Sequence, residues 1–152
     1  MWPQNARMTL HLLKLCVGAD SIRDLEDWIA ERLAQKRAAG QTPEHTPRTR
    51  MIPRRKDELL DGGSLYWVIK GQIAARQRLL EIRPYTDEKG VQQCHLVCEP
   101  VVIPVEPRRH RAFQGWRYLE ESAAPPDMGR GFADTSHMPE SLRRELRELG
   151  LL

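Results

Sequence analysis

No stretch of the sequence approaches the roughly 18 to 20 apolar residues that a membrane-spanning helix requires. The one apolar run near the N-terminus, residues 10–17, is interrupted by His11 and Lys14. It also lacks a small-residue cleavage pattern, so it does not read as a signal peptide. An even cysteine set is missing too: Cys16, Cys94 and Cys98 are an odd three, whereas disulfide-stapled secreted scaffolds carry even numbers. Cys94 and Cys98 fall in an extended stretch that holds their Cα atoms about 13 Å apart, beyond the roughly 7 Å reach of a disulfide. That distance also keeps both thiolates off one zinc ion. The cysteines are expected to be buried, reduced and structural, and the protein cytoplasmic. Catalytic signatures are lacking as well: there is no His-Glu-x-x-His, no Gly-x-Ser-x-Gly and no dinucleotide fingerprint. The turn Asp61-Gly62-Gly63-Ser64 lacks the Gly-Lys-Ser/Thr ending of a phosphate loop. No catalytic residue, metal or cofactor is assigned.

What the sequence has is clustered positive charge. The net charge of the chain is only +3, modest for a nucleic-acid binder, so the reading rests on where the charge sits. Residues 48–83 carry nine basic side chains (Arg48, Arg50, Arg54, Arg55, Lys56, Lys70, Arg76, Arg78, Arg83) against Asp57, Glu58, Asp61 and Glu81, a local net of +5. Residues 107–118 add four arginines and no acid. Both clusters adjoin aromatic, strand-like segments. Arginine neutralises phosphate and stacks on bases, and tryptophan offers a stacking face. The candidate anion-binding residues are therefore Arg50, Arg54, Arg55, Lys70, Arg76, Arg78 and Arg117, with Trp67 and Trp116 beside them. RNA or another phosphate-bearing ligand is the expected partner; a small anionic metabolite is the alternative. Tyr66 and Trp67 alternate along one strand and cannot share a platform. Glu81, between Arg78 and Arg83, reads as a salt-bridged structural carboxylate, because those arginines would weaken it as a base.

A chain of 152 residues is the size of one domain and can bury a core without staples. Residues 1–7 read as a flexible extension. A first strand over 9–17 offers Leu12, Leu13, Leu15 and Val17 to the core. A helix follows, capped by Asp20 or Ser21 and stopped at Gly40, with Ile22, Leu25, Ile29 and Leu33 as its apolar stripe and Trp28 widening it. Its opposite face, with Arg32 and Lys36, reads as solvated charge. Residues 48–53 suggest an extended arm and 56–60 one helical turn. Leu65-Tyr66-Trp67-Val68-Ile69 is apolar on both alternating faces, the pattern of a strand covered on two sides.

Residues 71–80 read as a short helical or irregular connection, giving way to a strand from about Arg78. Asp87 to Gly90 forms a hairpin turn, and the return strand over 91–99 places Cys94, Leu96 and Cys98 on one face. Pro100, Pro104 and Pro107 suit an edge strand. There is no βαβ alternation and no internal repeat. The expected fold is α+β: a small, mostly antiparallel β-barrel over residues 8–122 with a helix after the first strand. Residues 123–152 form a loop and a C-terminal amphipathic helix. The leucine stripe of that helix (Leu142, Leu146, Leu149) would dock on the barrel, on a protein partner or on a second copy.

Thr49-Arg50-Met51, Asp61 to Gly71, Arg76-Gln77-Arg78 and Phe113 to Leu119 resemble the motifs of an uncharacterised family of small alphaproteobacterial proteins. The resemblance covers Met8 to about Asp127 and carries no assigned activity. More distantly, a strand, a helix, a basic arm and a barrel strand ending in Lys70-Gly71 are similar to PUA-like barrels, including ASCH-type domains. The latter carry Gly-x-Lys-x-x-Glu-x-Arg along one strand. Arg78, Glu81 and Arg83 fall on the last three positions, with arginine in place of lysine and Arg76 where the glycine would stand. This resemblance implies binding of RNA or modified nucleotides.

Overall fold

The computed structural model describes residues 9–128. The expected N-terminal extension and the C-terminal helix with its leucine stripe lie outside these residues. β1 (Leu10–Leu15) leads into α1 (Ile22–Ala38), whose N-cap Ser21 accepts the Asp24 N–H on its hydroxyl at 3.1 Å. Leu25, Ile29 and Leu33 recur at helical spacing and are buried. After the short β2 (Arg48–Thr49) and the single turn α2 (Lys56–Leu59) come β3 (Ser64–Ile69), β4 (Gln72–Thr86), β5 (Gln92–Cys98), β6 (Ile103–Arg109) and β7 (Trp116–Glu120).

The seven strands form one curled sheet in the order β2-β5-β4-β3-β1-β7, with β6 also paired to β4. β5 and β6 run along successive parts of the same long partner: Leu79 faces Cys98 and Arg76 faces Ile103. All these pairings are antiparallel except β1 with β3, which is parallel. That pair is bridged through α1, β2 and α2, a crossover that the lack of βαβ alternation did not announce. After β7 the chain returns to the free edge of β6. There Glu106 N–H donates to the Pro126 carbonyl at 2.9 Å and Met128 N–H to the Pro104 carbonyl at 3.0 Å, curling the sheet into a half-barrel.

β3 is the hub, and all six of its residues are buried. Leu65, Trp67 and Ile69 join the larger core under α1, with Leu12, Leu25, Ile29, Leu33, Leu79 and Leu96. Tyr66 and Val68 point the other way, into a smaller core with Leu13, Ile73, Val105, Phe113 and Leu119. The turn before β3 needs both its glycines. Gly62 has φ +88°, and a Cβ on Gly63 would stand 2.3 Å from the carbonyl oxygens of Leu10 and Leu59.

Two expectations are corrected. Residues 72–80 are not helical or irregular but the first part of the 15-residue β4. Ile73, Ala75, Gln77 and Leu79 alternate as buried residues, and pairing with β3 on one edge and β6 on the other overrides the helix-forming composition. Leu80 points outward by the same alternation, on the face opposite Ile73, so their helical spacing marks no shared face; the register shift between Leu79 and Glu81 then returns Ile82 to the core. Val17 is not core: β1 ends at Leu15 and Val17 is 86% exposed.

Candidate anion-binding site

An open cavity of about 830 Å³ lies where the end of β1, one face of α1, the β2 arm and β5 meet. Lys14 comes from β1, where it is the one cation in a leucine-rich strand, opposite Trp67 and Trp116. Burial draws its pKa below the ordinary lysine value. Trp28 and Arg32, one turn apart on α1, form a stack with the guanidinium carbon 4.5 Å from the ring centroid. Arg48 and Arg50 flank the buried Thr49 on the arm, so both point outward on the same side. Trp67 contributes to the wall from β3, Gln93 from β5, and Gln114 and Gly115 from the loop before β7.

These residues include four cations and no carboxylate. Lys14, Arg32, Arg48 and Arg50 make no ion pair with another described residue. Of the four, Arg50 is within electrostatic reach of Asp87; positive charges gathered around one concavity repel one another, and an anion entering it relieves that repulsion.

The arm carrying the arginines is held at both ends. Lys36 donates to the Glu44 carbonyl and, at 3.0 Å, to Thr46 Oγ1. At the other end Trp116 Nε1–H donates to the Met51 carbonyl at 2.6 Å. Behind the cleft lies His45, 4% exposed, with its ring 6.1 Å from Trp28 and 6.4 Å from Trp67. Neither of its ring nitrogens has a hydrogen-bond partner among the described residues. Burial, then Lys36 and Arg32, push its pKa down to about 4 against a weak opposing pull from the Gln77 amide. Gln77 is committed elsewhere: it accepts the Trp67 indole N–H at 2.9 Å and donates to the Glu99 carbonyl at 2.8 Å.

Of the residues singled out in the sequence, Arg50 and Trp67 line this cleft, and Trp116 anchors the arm behind it. The others are placed elsewhere. The backbone N–H groups of Arg54 and Arg55 donate to the Tyr118 hydroxyl, and the Arg55 side chain is paired with Glu58 at 2.7 Å. Lys70 sits in the β3–β4 turn. Arg76 forms a two-pronged pair with Asp127 (2.7 and 2.8 Å) and also donates to Ser64 Oγ. Arg78 is exposed on β4, and Arg117 is exposed with its guanidinium over the Phe113 ring. Arg78, Glu81 and Arg83 do share one strand. Arg83 pairs with both Glu81 and Glu44, which holds the Glu81 carboxyl below its usual range.

The sequence pattern sets Arg32 on a solvated helix face, presents Trp28 only as core and leaves Lys14 without a role. A lone lysine in an apolar strand and an i, i+4 Trp–Arg pair are the signals that point to the cleft.

The three cysteines are free and buried, and burial raises the Cys16 thiol to about 11 and the Cys98 thiol further. The described residues contain no cluster of three or more metal-ligating side chains and no helix long and apolar enough to cross a membrane.

Fold and site together define a mostly β protein, a curled sheet under one long helix with a cleft beside the helix that Lys14, Arg32, Arg48 and Arg50 line. The chain belongs to the family described as protein of unknown function DUF1489, whose model matches residues 12–152. No curated protein and no solved structure shows significant similarity to it.

Proposed function

We propose that this protein binds single-stranded RNA through phosphate contacts to Lys14, Arg32, Arg48 and Arg50. The observation that carries the reading is a cleft of about 830 Å³ with four cations, no carboxylate and two tryptophans in its wall. Paired surface arginines are worth little as anion sites because their charge is already neutralised; these have no ion-pair partner among the described residues and converge. Arg32 over the Trp28 ring offers a surface on which an unpaired base can lie, as bases stack on aromatic rings and on guanidinium planes alike. A PUA-like reading of the half-barrel belongs to this proposal. It is supported by the succession of strand, helix, basic arm and barrel strand. A cytoplasmic setting belongs to it too, in keeping with three free thiols.

Binding of a fluorescein-labelled single-stranded RNA should weaken steeply with salt. Each phosphate contact contributes about 0.7 to the log–log slope for single strands, so four contacts give roughly −3 and about a fiftyfold loss over a fourfold rise in salt. The double variant Arg48→Ala/Arg50→Ala should flatten the slope by about one to one and a half while keeping the circular dichroism of the native fold. Arg54→Ala and Arg78→Ala, exposed and outside the cleft, should leave it unchanged. Equal losses from both pairs would reduce the effect to generic charge attraction, and absence of binding at low salt would transfer the cleft to a small anionic metabolite.

A further inference from the structure

A second cavity of about 550 Å³ adjoins the cleft and shares Arg48, Arg50 and Gln93 with it. The two cavities therefore lie side by side with the arginine pair and Gln93 between them. Each volume falls within the roughly 300–1,000 Å³ of small-ligand sites. Each also has its own aromatic surface: the Trp28–Arg32 stack on one side, and Tyr85 on the other, its ring in edge contact with His95 at 4.3 Å. Tyr85 faces Gln93 across β4 and β5, which puts it next to the arm that carries Arg50.

The second cavity contains two acids, and neither closes it to a phosphate. Asp87 Oδ1 accepts the N–H groups of Lys89 and Val91, both at 2.9 Å, and Oδ2 accepts from the Gln93 amide at 2.6 Å. These bonds fix the carboxylate in the turn; it stays ionised and also feels the charge of Arg50, with which it makes no ion pair. Glu88 is exposed at the tip of the turn, next to Lys89 in the chain.

We infer that the two cavities are compartments of one trough built for two successive nucleotides, one base at Trp28–Arg32, the next at Tyr85, and the phosphodiester between them on Arg48 and Arg50. This rests on the RNA-binding reading and sharpens its substrate class to a polynucleotide chain rather than a mononucleotide. A mononucleotide would leave one aromatic surface unused. A linked pair uses both, with its single phosphate at the one place the compartments share.

Charge and geometry make opposite demands, so a titration separates them. Adenylyl-adenosine carries one negative charge, and 5′-AMP close to two. Generic attraction ranks 5′-AMP first; the two-compartment trough ranks the dinucleotide first. At low salt we expect the dinucleotide to bind about tenfold or more tightly, the range of one base–aromatic stack. Tyr85→Ala should remove that advantage and leave 5′-AMP binding unchanged, while Tyr85→Phe should retain it. An octa-adenylate RNA serves as the reference. If the octamer binds but 5′-AMP matches or exceeds the dinucleotide, or Tyr85→Ala weakens both equally, the two-compartment assignment is wrong and the RNA reading stands. If the octamer does not bind, both fall.

Discussion

His45 is a buried base with neither ring nitrogen hydrogen-bonded among the described residues, set between two indoles and facing the cations Lys36 and Arg32. In an unfolded chain a histidine titrates near 6.5; here the folded value lies at about 4. The unfolded state therefore takes up the proton first as pH falls. The stability tied to the neutral ring is complete above about pH 6.5 and drains away between there and about pH 4. By pH 5 this one group accounts for a loss of about 2 kcal/mol. Urea denaturation at pH 7 and pH 5 tests it: His45→Phe should show a pH-dependent drop smaller by that amount. His11 is also held low by burial, against the pull of Glu121, but it titrates in both proteins and cancels in the comparison. Identical drops would mean that His45 does not carry this term.

At the scale of elements, the β3–β4 hairpin has the largest consequence for the fold. Ile69 pairs with Gln72, so the connection is the two-residue loop Lys70-Gly71, with φ of +51° and +76°. Positive φ at both positions is the type I′ arrangement whose twist matches that of the flanking strands. Glycine adopts it freely; lysine does so at a cost of about 1 kcal/mol. Lys70→Asn should therefore stabilise the protein by up to about 1 kcal/mol, read as a higher urea midpoint with an unchanged m-value. A lower midpoint would show that the lysine side chain contributes something the turn geometry does not reveal. Lys70 is thus accounted for by the backbone it occupies, apart from any ligand.

For the molecule as a whole, what turns an open sheet into a half-barrel is the return of residues 125–128 to β6. Beyond the two backbone hydrogen bonds, the closure is tied by the Arg76–Asp127 pair, Arg76 being only 23% exposed on its side chain. Asp127→Asn removes the charge from this two-pronged contact and should cost about 1 to 2 kcal/mol. The loss should be local. Amide exchange at Glu106 and Met128 is expected to accelerate more than exchange within β3, whose six residues are buried. Uniform acceleration across the sheet would mean that the closing segment and the sheet open as one unit.

Several features of the molecule are legible in its sequence. The periodicity of Leu25, Ile29 and Leu33, the two-sided apolar pattern of β3, the Asp87–Gly90 turn and the outward alternation of Arg48 and Arg50 are local. They follow from backbone repeat and turn chemistry within a few residues. The assembly of the cleft is not legible there. Lys14, Arg32 and Arg50 lie far apart in sequence and meet only because β1 runs parallel to β3, α1 packs across them and the arm pairs with β5. The fate of Arg76 is equally hidden: it is drawn to Asp127, far along the chain, whereas the Arg55–Glu58 pair is local, three residues apart. A charge count cannot distinguish a neutralised guanidinium from a free one. Sequence alone determined where positive charge was available. Tertiary structure decided which charges remained unpaired and converged, because that depends on contacts between segments that local propensity does not encode.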